Sequence, residues 1–244
     1  MSSRPTAVTG RLNFSVCITT LNDARTLRGS LESLFREIDL DETEVVVVDS
    51  ESRDGSTEIL REFESKGMLK LVVKSCSVGM GRQIALLNST GENVIAYLDT
   101  DDTFSGLRMM LLKYERDYRG RTLKAKDFLI VPRKIAVQVG GWRDLHTAED
   151  LDFLLRVRAR FEVVDVPWSV KVDFRARRFR MPFRGIEAAR KMWDMITFDF
   201  PPEMYVLNTK WRVAFLYLVA IHRLVPQGGP KKNPVADYLI SLAR

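Results

Sequence analysis

Glu92–Asp102, ENVIAYLDTDD, passes within a few residues from an apolar run to a cluster of carboxylates. Val94, Ile95, Ala96, Tyr97 and Leu98 show no polar alternation, the pattern of a parallel strand covered on both faces. In an open α/β sheet, ligands bind just beyond the carboxyl ends of such strands. An extended backbone through this junction would put Asp99 and Asp101 on one side, with Thr100 turned away. Two carboxylates about 6 Å apart repel by roughly 3 kcal/mol at an effective dielectric of about 20, which favours a divalent cation or a shared proton between them. Oxygen-only ligands on a loop suit Mg²⁺ or Mn²⁺ holding a diphosphate better than they suit zinc. A local explanation competes: Asp101, Asp102 or Thr103 caps a helix starting near Ser105.

The chain upstream repeats the same strand-to-polar transition. Phe14–Thr19 reads as a first strand with Thr20–Asp23 as its polar exit. Asn22 or Asp23 can cap the helix that follows, whose Ala24, Leu27, Leu31, Leu34 and Ile38 recur on one face. Glu44–Val48 is a second buried strand ending in Asp49, and Asp54, Gly55 and Ser56 turn into a helix carrying Ile59, Leu60 and Phe63. Leu69–Val73 is a third strand, followed by Gly79, Gly81 and a helix through Asn88. Four such alternations imply a mostly parallel sheet with right-handed crossovers. That fold gathers Asp23, Asp49, Asp99, Asp101 and Asp102 on one sheet edge, with Arg82 placed to pair with a base or a phosphate. A nucleotide needs this mixture: a carboxylate for a base or ribose hydrogen bond and a metal for its phosphates.

The composition, 45% hydrophobic and 29% charged over 244 residues, is that of an ordinary globular protein able to bury a sizeable core. Cys17 and Cys76 fall in or beside strands and read as buried thiols rather than a disulfide framework, which fits a reducing cytoplasm. The first dozen residues lack the apolar segment of a signal peptide. The longest apolar run, Val213 to Ile221, is far below the ~20 residues that cross a bilayer. The net charge of +6 and pI of about 9.4 point to an anionic partner, with phosphorylated substrate, anionic lipid and nucleic acid all fitting.

Four blocks, CITTLND (17–23), VVVVDSESRDGST (45–57), GMGRQIALLNSTGENVIAYLDTDD (79–102) and VGGWRDLHTAEDLDFLLRV (139–157), together resemble the family 2 nucleotide-sugar glycosyltransferases of the GT-A fold. The resemblance runs from Asn13 to about Arg160 with motif order and spacing kept. It implies a Rossmann-like, mostly parallel central sheet flanked by helices, here with a helical C-terminal extension. It also implies an inverting transfer from a nucleotide-diphospho-sugar, with Mn²⁺ or Mg²⁺ as cofactor. On this resemblance Thr20, Asp23 and Asp49 line the nucleoside pocket, Arg82 contacts the base side and Asp99 approaches ribose and metal. Asp101 is then the principal metal carboxylate, with Asp102 as a second. Two departures are visible: Thr19 stands where a proline is common, and VDSESRDGST is longer than the usual VDDGSTDGT.

Gly140 and Gly141 permit a tight turn presenting Trp142, and Thr147 begins a helix running to about Arg160. Thr147 and Asp150 have the spacing of a capping box, and acidic residues are welcome at a helix start, yet Glu149, Asp150 and Asp152 crowd into one turn. The resemblance makes Asp150 the general base, with Glu149 beside it in the catalytic pair. Trp142 reads either as a platform for a sugar or lipid-phosphate acceptor or as a buried anchor of its loop.

Phe161–Val166 and Ser169–Phe174 read as short strands. Lys171 to Lys191 holds eight Lys or Arg against two acids. Such a run is usually a solvated face; beside an active site, Arg175, Arg177, Arg178 and Arg180 could close over a pyrophosphate, or meet an anionic membrane. Trp211–Val225 is apolar on nearly all sides, to be covered by neighbouring helices or a second subunit, and next by a membrane surface. The expected organisation is a flexible tail over 1–12, a catalytic domain over 13–175 and a basic loop with helical extension over 176–244, in the cytoplasm, with peripheral contact at the inner membrane face.

Three function classes follow: a metal-dependent glycosyltransferase acting from a UDP-sugar in preference to GDP-mannose with a polyprenyl-phosphate acceptor, a catalytically silent nucleotide-binding scaffold, and a nucleic-acid binder suggested by charge alone. The last lacks any recognisable reading motif, and no nucleic-acid partner is expected. The first fails if Asp49, Asp101 and Asp150 lie on unrelated surfaces.

Overall fold

Strand and helix alternate over the first half of the chain as the sequence predicts. The structure, a computed structural model, describes residues 13–146 and 148–172. Its elements are β1 (Phe14–Thr20), α1 (Ala24–Glu37), β2 (Thr43–Asp49), α2 (Ser56–Ser65), β3 (Lys70–Val73), α3 (Val78–Asn88), β4 (Asn93–Ala96), α4 (Leu107–Asp117), β5 (Thr122–Lys124), β6 (Leu129–Pro132), α5 (Arg133–Gln138), α6 (Glu149–Arg158) and β7 (Val163–Asp165).

The strands form a seven-stranded sheet in the order β3-β2-β1-β4-β6-β5-β7. β1, β2, β3 and β4 are mutually parallel, β6 runs against both β4 and β5, and β7 returns parallel to β5. The chain moves outward from β1 through β2 to β3 and then crosses back to β4 on the other side of β1. Its winding reverses there, which opens a crevice beyond the carboxyl ends of β1 and β4.

The two-residue period of the strands sorts their side chains into two cores. Val16, Ile18, Val45, Val47 and Ile95 face one cluster with Leu27, Leu31 and Leu34 of α1, Leu60 and Phe63 of α2, and Leu107, Leu111 and Tyr114 of α4. Cys17, Val46, Val48, Val94 and Ala96 face the other with Ala85 and Leu86 of α3, Ile135 and Ala136 of α5, and Phe153 and Val157 of α6. Helices on both faces explain why these strands carry no polar alternation. β7 lies within the predicted Phe161–Val166. The predicted Ser169–Phe174 strand is reduced, among the described residues, to an isolated antiparallel bridge between Phe104 and Lys171. Thr147, the tail over 1–12, the basic residues from Arg175 onward and the apolar segment 211–225 lie outside the described residues. No helix among those described is long and apolar enough to cross a membrane.

Candidate active site

The crevice at the reversal point is a cleft of about 260 Å³ whose lining includes Thr19, Thr20 and Asp23 from the β1 exit, Ser50 from the β2 exit, Ser77 capping α3 and Arg82 within it, and Asp99, Thr100 and Asp101 from the β4 exit. Asp23 begins α1 without capping it through its side chain. Its Oδ2 instead accepts from Thr20 Oγ1 at 2.8 Å and Thr100 Oγ1 at 2.5 Å, so one carboxylate ties the β1 exit to the β4 exit. The longer-than-usual second loop is latched to the same place: Ser52 Oγ accepts from Asn22 N, Ser56 Oγ from Asp23 N and Asp54 Oδ2 from Ala24 N.

Asp49 lies beneath this wall rather than in it. It is fully buried, its Oδ1 accepting from the amide and hydroxyl of Ser52 and its Oδ2 from Thr57 Oγ1. The residue that reaches the cleft from this strand end is Ser50, which joins the β2 exit to the β3 exit by donating to Cys76 O at 2.6 Å and accepting from Cys76 N at 3.0 Å.

The strand expected to run through Leu98 stops at Ala96, because Tyr97 takes a left-handed φ of 73° and the chain turns, with Asp102 N donating to Asp99 O at 3.3 Å. The extended geometry expected for Asp99 and Asp101 is thereby corrected: the turn, not strand alternation, gathers the acids. Asp99, Asp101 and Asp102 each offer an oxygen within 4.8 Å of the others. None of them caps a helix, since α4 begins after Gly106, itself left-handed at φ 80°. Three hard oxygen donors at this spacing fit a small divalent cation. Lys171 Nζ donates to Asp99 Oδ2 at 3.0 Å and pairs with Asp102 Oδ2. Burial works to lower the Lys171 pKa, but Asp99 and Asp102 carry it above its ordinary value and keep the ammonium charged.

α3 connects the cleft to the Gly140–Asp152 segment, and its glycines make that contact close. A Cβ on Gly79 would lie 2.1 Å from the Arg143 carbonyl oxygen, and one on Gly81 would lie 2.7 Å from Thr19 Cγ2. Gly79 N donates to Leu145 O at 3.0 Å, and Gln83 Oε1 accepts from Trp142 N at 2.8 Å. Arg82, 7% exposed, lines the cleft with one side and donates from Nε to Glu149 Oε1 at 3.1 Å with the other. Its guanidinium lies 5.2 Å from the Tyr97 ring centre, and Tyr97 Oη donates to the Asp150 carbonyl at 2.8 Å. Burial pushes the Tyr97 phenol well above its ordinary range, so it remains a neutral donor. Burial also raises the Glu149 carboxyl, with Arg82 opposing the shift.

The acidic crowd at the start of α6 therefore divides. Glu149 is buried on Arg82, and Asp152 is fully buried between Arg143 and Arg156, with Arg156 also donating to Val139 O. Asp150 is the exposed member, its Oδ1 accepting from Leu151 N at 2.8 Å. Trp142 is 3% exposed and stacks on Phe153 with ring centres 3.8 Å apart. Of its two readings, the buried anchor is the observed environment, and no ring face remains for an acceptor. The structure thus brings Thr20, Asp23, Arg82, Asp99 and Asp101 into one cleft, sets Asp102 beside them, and joins Glu149 and Asp150 to it through Arg82 and Tyr97. Ser50, Ser77, Thr100 and Lys171 are site residues that the sequence reading did not single out.

Residues 15–122 match the family model for glycosyl transferase family 2. That matched stretch is under half of the chain and holds β1 to β4 together with the Asp99–Asp102 turn. Solved glycosyltransferases share its GT-A fold. The 1–349 fragment of TarS from S. aureus in complex with UDP superposes with a TM-score of 0.58 at 20% identity, over 66% of this chain and 59% of that one. The match covers 36% of the longer TarS chain, so this protein spans well under two-thirds of that relative. The Pyrobaculum calidifontis mannosyltransferase PcManGT, in complex with GDP-Man and Mn²⁺, gives 0.60 at 19% identity over 97% of this chain and 75% of its own. Glucosyl-3-phosphoglycerate synthase from Mycobacterium tuberculosis, with Mn²⁺, UDP and glucosyl-3-phosphoglycerate, gives 0.52 at 14% identity over 70% and 77%. No curated protein sequence matches the chain.

Proposed function

We propose that this protein is an inverting glycosyltransferase that moves a sugar from a nucleotide-diphospho-sugar, a UDP-sugar in preference, to a hydroxyl or lipid-phosphate acceptor. The observation that carries the reading is the convergence of Thr20, Asp23, Arg82, Asp99 and Asp101 on one cleft at the winding reversal of the sheet, within the stretch that matches the family 2 model. Asp23, held by the Thr20 and Thr100 hydroxyls, presents a fixed acceptor for a nucleoside hydrogen bond. Arg82 presents a guanidinium to the same cleft, and its hold on Glu149 fixes the first turn of α6. Asp99, Asp101 and Asp102 would hold Mn²⁺ or Mg²⁺, which when bound supplies Lewis-acid neutralisation of a departing diphosphate. Asp150, exposed at the start of α6, takes the proton of the acceptor hydroxyl as that oxygen attacks the anomeric carbon opposite the leaving group. A buried ion pair behind it and a tyrosine hydrogen bond on its own carbonyl hold that carboxylate in place.

A second reading is a GDP-mannose donor with a polyprenyl-phosphate acceptor; the donor half of it is favoured by the likeness to PcManGT, solved with GDP-Man, which extends over 97% of this chain. A thermal-shift panel of UDP, GDP and their sugars with Mn²⁺ separates the two, because a ligand held only by the folded state raises its melting temperature. A shift confined to uridine compounds supports the first reading, and one confined to guanosine compounds the second. No shift with any of them would refute both.

A further inference from the structure

Lys171 opens the basic run 171–191, and its position is built rather than incidental. Asp127 Oδ2 accepts from Ser169 Oγ at 2.5 Å and from Val170 N and Lys171 N at 3.0 Å each. Val170, 1% exposed, packs in the core and accepts from Ser105 N at 2.8 Å, while Val172 N donates to Thr103 O at 2.9 Å. The backbone on both sides of Lys171 is thus fastened to the loop that follows the acidic cluster. From that anchorage the side chain, 9% exposed, delivers its ammonium to Asp99 and Asp102 together. These are two of the three carboxylates that would hold the metal. An ammonium and a divalent ion cannot share the same carboxylate oxygens without strong repulsion.

We infer that Lys171 is a tethered cation that fills the acidic cluster before substrate arrives, so that a divalent metal binds only by displacing it. This rests on the assignment of Asp99, Asp101 and Asp102 to a metal. The tether makes the bare protein a weak metal binder while relieving the mutual repulsion of Asp99 and Asp102. A nucleoside diphosphate entering the cleft offers the displaced ammonium a new anionic partner close by, so metal and nucleotide bind with positive coupling. By linkage each raises the affinity of the other to the same extent.

The test is Mn²⁺ binding, read by the free-ion electron paramagnetic resonance signal, to the full chain as wild type, Lys171→Met, Lys171→Gln and Lys171→Arg. Each is measured with and without UDP or GDP, whichever the wild type binds. Without nucleotide, Lys171→Met and Lys171→Gln are expected to bind Mn²⁺ about tenfold more tightly than wild type, equivalent to about 1.4 kcal/mol. Lys171→Arg, which keeps the charge, stays near wild type. Adding nucleotide narrows the gap, since it supplies to the wild type the partner that its ammonium needs. Circular dichroism confirms folding, and Lys171→Gln, which keeps reach and polarity, decides the matter if the methionine variant does not fold. Wild-type Mn²⁺ binding that is equal to, or tighter than, that of the folded neutral variants would overturn the tether. Mn²⁺ bound by no variant, with or without nucleotide, would overturn the metal assignment itself and the tether with it.

Discussion

Replacing Arg82 by methionine should unseat the candidate site more than removing a surface charge would. The side chains of Arg82 and Glu149 are 8% and 9% exposed, with Nε and Oε1 3.1 Å apart. At an effective dielectric of about 20 their attraction is about 5 kcal/mol, most of it offset by the loss of hydration of both groups. Removing one partner strands the other in the interior, at a cost of about 3–5 kcal/mol. For a domain of this size, about 3 kcal/mol lowers the melting temperature by roughly 6–12 °C. Arg82→Met combined with Glu149→Met removes both charges, and the double variant should recover to within about 1 kcal/mol of wild type.

The pH dependence has a definite sign. Burial already raises the folded-state Glu149 pKa above its ordinary value, and losing Arg82 raises it further. A carboxyl raised on folding is tolerated below its unfolded pKa, and stability falls as pH rises through the folded value. The Arg82→Met deficit is therefore largest well above the ordinary carboxylate range and shrinks as pH falls towards that range and Glu149 takes a proton. Thermal denaturation followed by circular dichroism across that span of pH is the assay. A single variant melting within about 2 °C of wild type throughout, or a double variant no better than the single, would refute the stranded-charge reasoning.

Two further outcomes follow from the geometry. Gly79→Ala places a methyl 2.1 Å from the Arg143 carbonyl oxygen, so α3 and the 143–145 segment must separate, with a loss of about 1–3 kcal/mol in chemical denaturation and weaker nucleotide binding. Asp101→Ala should abolish the strengthening of UDP or GDP binding by Mn²⁺ in titration calorimetry while leaving the metal-free affinity near wild type.

The parallel half of the sheet was legible because burial on both faces leaves a simple trace: Val45–Val48 and Val94–Leu98 have no polar partners in alternation. The same trace misled at the end of β4. Tyr97 and Leu98 are indeed buried, but an apolar residue in a left-handed turn is indistinguishable by composition from one in a strand. β5 and β6 are only three and four residues long, and β6 runs against its neighbours. Such short runs carry little period, and direction is set by pairing rather than by local sequence.

At the site, the carboxylates of Asp99, Asp101 and Asp102 could be read because the residues are adjacent in the chain. Asp49 could not be placed, because a strand-end aspartate looks the same whether it faces a ligand or holds its own loop, as Ser52 and Thr57 show here. Trp142 is similar: the glycine turn that might present it outward also lets it fold back onto Phe153. Lys171 meets Asp99 across 72 positions of sequence, a pairing that depends on Asp127 anchoring the segment and leaves no local signal.

The central claim is that the Asp150 carboxylate, at the start of α6, takes the proton of an acceptor hydroxyl attacking a sugar donor bound in the neighbouring cleft. The direct measurement is the initial rate of nucleotide-sugar turnover by Asp150→Asn, whose amide oxygen can still accept from Leu151 N. The account predicts a rate lower by about 10²–10⁴, with the melting shift given by donor and Mn²⁺ unchanged. Turnover at the wild-type rate in this variant would contradict it.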